Sequence, residues 1–149
     1  MSCMQAGGYS ETARHAVTIA HDAALRLGRT CVSVDLIVLG IIDADAGGLA
    51  ARALQDLGVV LAALRLRITG LHEPPAQVTS AGTHVPFCAE TRASLAGPET
   101  GRPWPGQIET LHILLALVGG AEVRLTELFA PFGVHPRQIR TRAIRLLAN

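Results

Sequence analysis

Aromatic residues are scarce in this chain. They make up 3% of its 149 residues, with one Trp, one Tyr and three Phe. A core short of them has to be built from Leu, Ile, Val and Ala, which disfavours a sheet and favours helices packed closely together. Charge of one sign is lacking as well. Thirteen basic and twelve acidic residues leave a net charge of +1, so there is no broad field to draw in nucleic acid or an anionic membrane. One basic cluster, Arg137, Arg140, Arg142 and Arg145, reads as the solvated face of a C-terminal helix, where positive charge suits the helix dipole. Long apolar runs are also absent. Residues 36–42 and 113–118 fall far short of a bilayer span and read as buried helices.

The three cysteines, Cys3, Cys31 and Cys88, have neither metal nor redox spacing. An odd count argues against a disulfide framework and fits a reducing compartment. Residues 1–10 lack the basic start and apolar run of a secretory leader. No Gly-x-x-x-x-Gly-Lys-Ser/Thr loop is present to cradle a nucleotide. His15 and His21 stand six apart, off the four-residue spacing that lets two histidines share a metal. The expectation is a cytoplasmic monomer with free thiols, no metal, no cofactor, and no nucleic-acid or membrane partner.

What the chain does have is helical periodicity punctuated by glycine. Ser10 can cap a helix from Glu11 to about Leu27, with Ala13, Ala16, Val17, Ala20 and Ala24 on one face and Gly28 as its stop. Ser33 can cap a second, with Asp35 in its first turn and an apolar body through Ile41. Gly47 and Gly48 end it. A third runs from Leu49 to Leu57 and stops at Gly58; a fourth runs from Leu61 to Thr69 and stops at Gly70. Pro74, Pro75, Ser80 and Gly82 then mark residues 71–84 as a linker.

After the linker the pattern returns. Phe87 stands where Tyr9 stood, each with Arg five positions on, at Arg92 and Arg14. Residues 108–118 overlie 32–42, with small residues coinciding at Gly40 and Ala116, where two helices should approach closely. Leu54-x-x-Leu57-Gly58-Val59 overlies Phe129-x-x-Phe132-Gly133-Val134, and the offset holds at 75 to 78 residues. Recurrence of the same glycine stops and helix lengths indicates internal duplication. The reading is a single all-α domain over 1–149, a tandem pseudo-twofold repeat of a four-helix unit: repeat one 9–70, linker 71–84, repeat two 85–149. The second repeat has a shortened first helix. It should end near Ala96, because residues 97–106 hold three prolines and three glycines around Trp104. Trp104 either anchors this loop on the shortened helix or faces a ligand in a pocket the shortening opens.

Cys88 could be combined with His84 or His112 and Glu90 or Glu109 into a Cys–His arrangement. Catalysis would need a thiolate within about 3 Å of an oriented histidine base. The simpler reading is Cys88 as a small half-buried cap beside Phe87 and His112 as a packed helix residue, so no enzyme is expected.

Several segments together resemble the N-terminal domain of the Clp/Hsp100 unfoldases, closest to the ClpC type. They are Tyr9 to Arg14, Ala23-Ala24-Leu25-Arg26-Leu27-Gly28, the apolar helix at 34–42, Leu57-Gly58-Val59, Val85-Pro86-Phe87, and Thr110-Leu111-His112-Ile113-Leu114-Leu115. The resemblance covers about 9–147. It implies two four-helix repeats and a non-catalytic role, receiving adaptors and substrates for an ATPase ring. It also implies phosphoarginine binding through one acidic residue per repeat, and a surface for cyclic peptide antibiotics at two aromatic positions. The acidic positions match Asp35 and Leu111, and Leu111 offers no partner for a guanidinium. The aromatic positions match Tyr9 and Phe87.

The candidate binding residues are therefore Tyr9, Asp35, Phe87 and Trp104. The absence of any tag, the start at Met1 and the altered second repeat point to a stand-alone relative, the alternative being an excised receptor domain of an unfoldase. Its expected partner is a Clp unfoldase, an adaptor or substrate protein, or a peptide-like small molecule, the last in antibiotic sequestration or biosynthesis.

Overall fold

The computed structural model describes residues 8–70, 85–96 and 107–148. The expected linker, the loop with Trp104, and Cys3 lie outside the described residues. Among the described residues there are eight α-helices and one short 3-10 turn. The first four are α1 (Glu11–Arg26), α2 (Val34–Ala44), α3 (Leu49–Asp56) and α4 (Leu61–Gly70). The second four are α5 (Ala89–Leu95), α6 (Thr110–Gly120), α7 (Glu122–Phe129), which runs into the 3-10 turn Ala130–Phe132, and α8 (Pro136–Ala148).

The core sits on α2 and α6. Every residue over 34–42 and over 110–118 is buried, and a helix apolar on all sides has to be enclosed by others. α1 covers α2 with a face of small residues, Ala13, Ala16, Ala20, Ala23 and Ala24, all buried. Gly40 completes this contact: a Cβ there would stand 2.0 Å from the carbonyl oxygen of Ala16. The close approach expected at Gly40 is present. In the second half Ala116 is buried, and a tight contact of α6 with α5 lies further along, where a Cβ at Gly120 would meet Ser94 Oγ at 2.5 Å.

The local signals set the helix ends. Ser10 Oγ accepts from the Ala13 N–H at 3.0 Å. Ser33 occupies the N-cap of α2, but its hydroxyl donates to Asp35 Oδ1 instead of accepting from the backbone; the adjacent carboxylate is the stronger acceptor. Gly58 and Gly133 both take positive φ, 94° and 69°, which favours glycine. The same bond closes both turns, from Val59 N–H to the Leu54 carbonyl at 3.0 Å and from Val134 N–H to the Phe129 carbonyl at 3.5 Å. α5 ends at its C-cap Ala96, with seven residues against sixteen in α1.

The halves interlock. Tyr9 pairs with Ile108 and Val32 pairs with Phe87, each as an isolated parallel bridge. Tyr9 and Phe87 are repeat equivalents, as are Val32 and Ile108, so each half lends its leading segment to the entry of the other's central helix. The bonds are Ser10 N–H to the Ile108 carbonyl at 2.9 Å, Ile108 N–H to the Gly8 carbonyl at 3.1 Å, Val32 N–H to the Pro86 carbonyl at 2.8 Å and Cys88 N–H to the Val32 carbonyl at 2.9 Å. Side chains add to these links. Thr110 Oγ1 donates to Asp45 Oδ2 at 2.9 Å. Arg142 Nε and Nη2 donate to Asp56 Oδ2 at 2.9 and 2.6 Å, so this member of the basic cluster ties α8 to the end of α3 and is not simply solvated.

The expectation of free thiols is corrected here. Cys31 and Cys88, 57 residues apart in sequence, form a disulfide. An odd count leaves one cysteine over but does not stop two others from pairing. The Val32–Phe87 bridge brings their backbones together, and the cysteine argument for a reducing compartment falls with it. Among the described residues, no helix is long and apolar enough to cross a membrane.

Candidate ligand cleft between the two halves

The first turn of α2 projects Asp35 into the wall of a cavity of about 540 Å³. Its residue is only 5% exposed, and Ser33 donates a hydrogen bond to its carboxylate. The loop before α2 supplies Arg29, which is exposed and makes no side-chain bond among the described residues. α5 and its N-cap supply Cys88, Glu90 and Thr91 to the opposite side. The Thr91 hydroxyl donates to the Val32 carbonyl at 2.9 Å, which fixes the floor between the two walls.

α4 and α7 close the remaining side. Arg67 reaches from α4 to the end of α7, where Nε donates to the Leu128 carbonyl and Nη2 to the Glu127 carbonyl, both at 2.8 Å. These carbonyls belong to the last turn of α7 and lack helical partners. Arg124 Nε donates to Glu90 Oε1 at 3.0 Å. That bond, ahead of the fields of Glu90, Asp35 and Glu127, raises the Arg124 pKa above the usual guanidinium value against the opposing effect of burial. The cleft thus presents both signs of charge, with Arg29, Arg67 and Arg124 lining it alongside Asp35, Glu90 and Glu127. It can hold a ligand group carrying a cation next to an anion.

Of the expected site residues that the structure describes, Asp35 alone enters this cleft. Phe87 is half-buried beside Cys88, and its ring lies 5.5 Å from the ring of His21 on α1. Tyr9 is half-buried at the other interlocking bridge, and burial raises its phenol pKa. Neither lines this cavity nor a second one of about 540 Å³ beside Asp56, Arg137, Arg142 and Arg145. Trp104 lies outside the described residues. Leu111, the repeat equivalent of Asp35, is 1% exposed in the core.

Arg67, Arg124, Glu90 and Cys88 were not legible as cleft residues. Each is an ordinary polar or small position on its own helix, and only the packing of α4, α5 and α7 brings them together. The Cys–His arrangement does not form, because the Cys88 sulfur is bonded to Cys31. His112 is 7% exposed and accepts from the Glu109 N–H through Nδ1 at 2.8 Å, as half of a capping box. Among the described residues, no group of three or more His, Cys, Asp or Glu could hold a metal ion.

No family model matches the chain. The chaperone protein ClpB of Oceanobacillus iheyensis is 26% identical over 146 residues, covering 98% of this chain and 18% of that protein. The negative regulator of genetic competence ClpC/MecB of Bacillus subtilis is likewise 26% identical over 146 residues, with the same coverage. Among solved structures, the N-terminal domain of ClpD from Arabidopsis thaliana matches with a TM-score of 0.71 at 18% identity, covering 95% of both chains. The Hsp104 N-terminal domain from Candida albicans matches at 0.69 and 14% identity, covering 93% of this chain and 90% of that one.

The fold is that of the Clp/Hsp100 N-terminal domain. The eight helices in two sets of four are the architecture of that domain. The chain spans less than a fifth of the length of the curated relatives it matches, at 18% of ClpB and of ClpC/MecB. Identity is 26% to ClpB, ClpC and ClpA-homologue relatives alike, so the ClpC type is not singled out among Clp N-domains.

Proposed function

We propose that this Clp-type N-domain is a non-catalytic receptor for protein segments of the Clp system. Its two halves, 9–70 and 85–149, act as one unit that takes the segment at the cleft around Asp35. The ligand group is a cation carrying an anionic substituent, and a phosphorylated arginine side chain has that chemistry. The observation that carries the reading is the buried Asp35 carboxylate in a cavity of about 540 Å³. Its guanidinium partner would sit against Asp35, and its phosphoryl group would turn toward Arg29 and Arg124.

A ClpC-like role as adaptor, receptor or decoy follows from this ligand chemistry. The other reading, a cyclic-peptide binder using Tyr9, Phe87 and Trp104, has less support. Phe87 packs on His21, and neither cavity described above includes Tyr9 or Phe87.

The test is calorimetric titration with free phosphoarginine. Asp35→Asn keeps the shape and removes the charge, and it is expected to weaken binding about tenfold or more, as for loss of a charge-assisted hydrogen bond. Equal affinity of the variant and the unaltered protein would overturn the assignment of Asp35.

A further inference from the structure

We propose that the Cys31–Cys88 disulfide is a reversible redox staple. It sets the opening of the Asp35 cleft and is cut by a dithiol reductant that enters through the cleft itself. This rests on the reading of the cleft as the ligand site.

The bond lies at the root of both walls. Cys31 is four residues before Asp35 on the wall formed by α2, and Cys88 is two residues before Glu90 on the wall formed by α5. Glu90 in turn holds Arg124, so the disulfide sets the spacing between the carboxylate that would take a cation and an arginine that would take an anion. Both cysteines are half-buried, but Cys88 lines the cavity and Cys31 does not, which places the attack of a reductant entering there at the Cys88 sulfur. Arg29, Arg67 and Arg124 balance Asp35, Glu90 and Glu127 around that opening, and an incoming thiolate meets no net repulsion.

The chemistry balances. One thiolate of the reductant attacks Cys88 Sγ and breaks the sulfur–sulfur bond, and Cys31 leaves as a thiolate that takes up a proton. The second thiol of the reductant, deprotonated, then attacks the mixed disulfide and releases Cys88, which takes up the second proton. Two electrons have passed from the reductant, now itself a disulfide, to the protein, which holds two thiols.

Reduction does not dismantle the fold at this point. Val32 stays bonded to Pro86 and Cys88 through its backbone and accepts from Thr91. Three hydrogen bonds can open and close locally, whereas the covalent link cannot, so reduction converts a fixed cleft into a breathing one.

The test uses the full chain prepared without reductant and then treated with dithiothreitol. N-ethylmaleimide labelling followed by mass measurement counts the thiols, with one adduct expected before treatment and three after, from the three cysteines. Hydrogen–deuterium exchange over 29–36 and 86–92 is expected to rise about tenfold on reduction, while the interior of α2 and α6 stays protected. Phosphoarginine affinity is expected to change at least about fivefold between the two states. Cys31→Ser should match the reduced protein, and Cys3→Ser should match the oxidised one.

Three adducts before treatment, or exchange unchanged by reduction, would overturn the staple. Raised exchange with equal affinity in both states would overturn its control of the site. Absence of phosphoarginine binding in both states would overturn the ligand reading alone, and the exchange data would still decide the staple.

Discussion

Single side chains carry the chemistry, and each is governed by its immediate surroundings. Asp35 is kept in the wall of the cleft by a serine hydroxyl two residues away, and Arg67 satisfies two carbonyls at the end of a helix from the other half. An Arg there supplies the planar fork that reaches both carbonyls, which a Lys would not. Tyr9 offers a direct test of burial. Desolvation favours its neutral form and pushes its pKa above the usual value near 10. The stability tied to that proton is fully present below the unfolded pKa and is lost as pH rises through the folded one. As Tyr9 is the only tyrosine, phenolate absorbance should titrate above pH 10 in the folded protein and at the ordinary position in denaturant. A folded midpoint at the ordinary value would show that the ring is solvated.

At the scale of helices, small residues decide how closely elements approach. Gly40 lets the alanine face of α1 lie on α2, and a methyl group there collides with the Ala16 backbone. Gly40→Ala should therefore cost about 1–3 kcal/mol despite its better helix propensity. Gly119 lies near the end of α6 with nothing within 4 Å of a would-be Cβ, and Gly119→Ala should be neutral or stabilising by up to about 1 kcal/mol. Thermal melts of the two variants check the contrast, and equal melting temperatures would refute the close-contact account. These helices were largely legible beforehand, because a 3.6-residue period, a serine cap and a glycine stop are local signals. The ends of α1, α3 and α4 fall within a residue of the expected ones, and α5 stops where the Gly/Pro run required. The role of Ser33 was not legible, since its hydroxyl had two acceptor and donor choices and the nearby carboxylate decided between them.

For the whole molecule, the decisive contacts are those between the halves. The reciprocal bridges at Tyr9–Ile108 and Val32–Phe87, the Arg67 and Arg142 links and the disulfide make the two sets of four helices one interlocked body. Closing a loop of this length by a disulfide restricts the unfolded chain, and Cys88→Ser should cost about 2–4 kcal/mol in denaturant melts. A variant as stable as the unaltered protein would mean that the cross-link adds nothing to the hydrogen bonds around Val32. The all-helical class, the doubling of the unit, the glycine turns and the inequality of the two halves can all be read along the chain. Those follow from periodicity and backbone preference, which act over a few residues. Three-dimensional packing is what makes Cys31 meet Cys88, sets Asp35 near Arg124, and turns Phe87 to His21 and not into the cleft. These pairs are brought together by helix packing across the two halves, and no local pattern of residues along the chain reveals which side chains that packing places face to face.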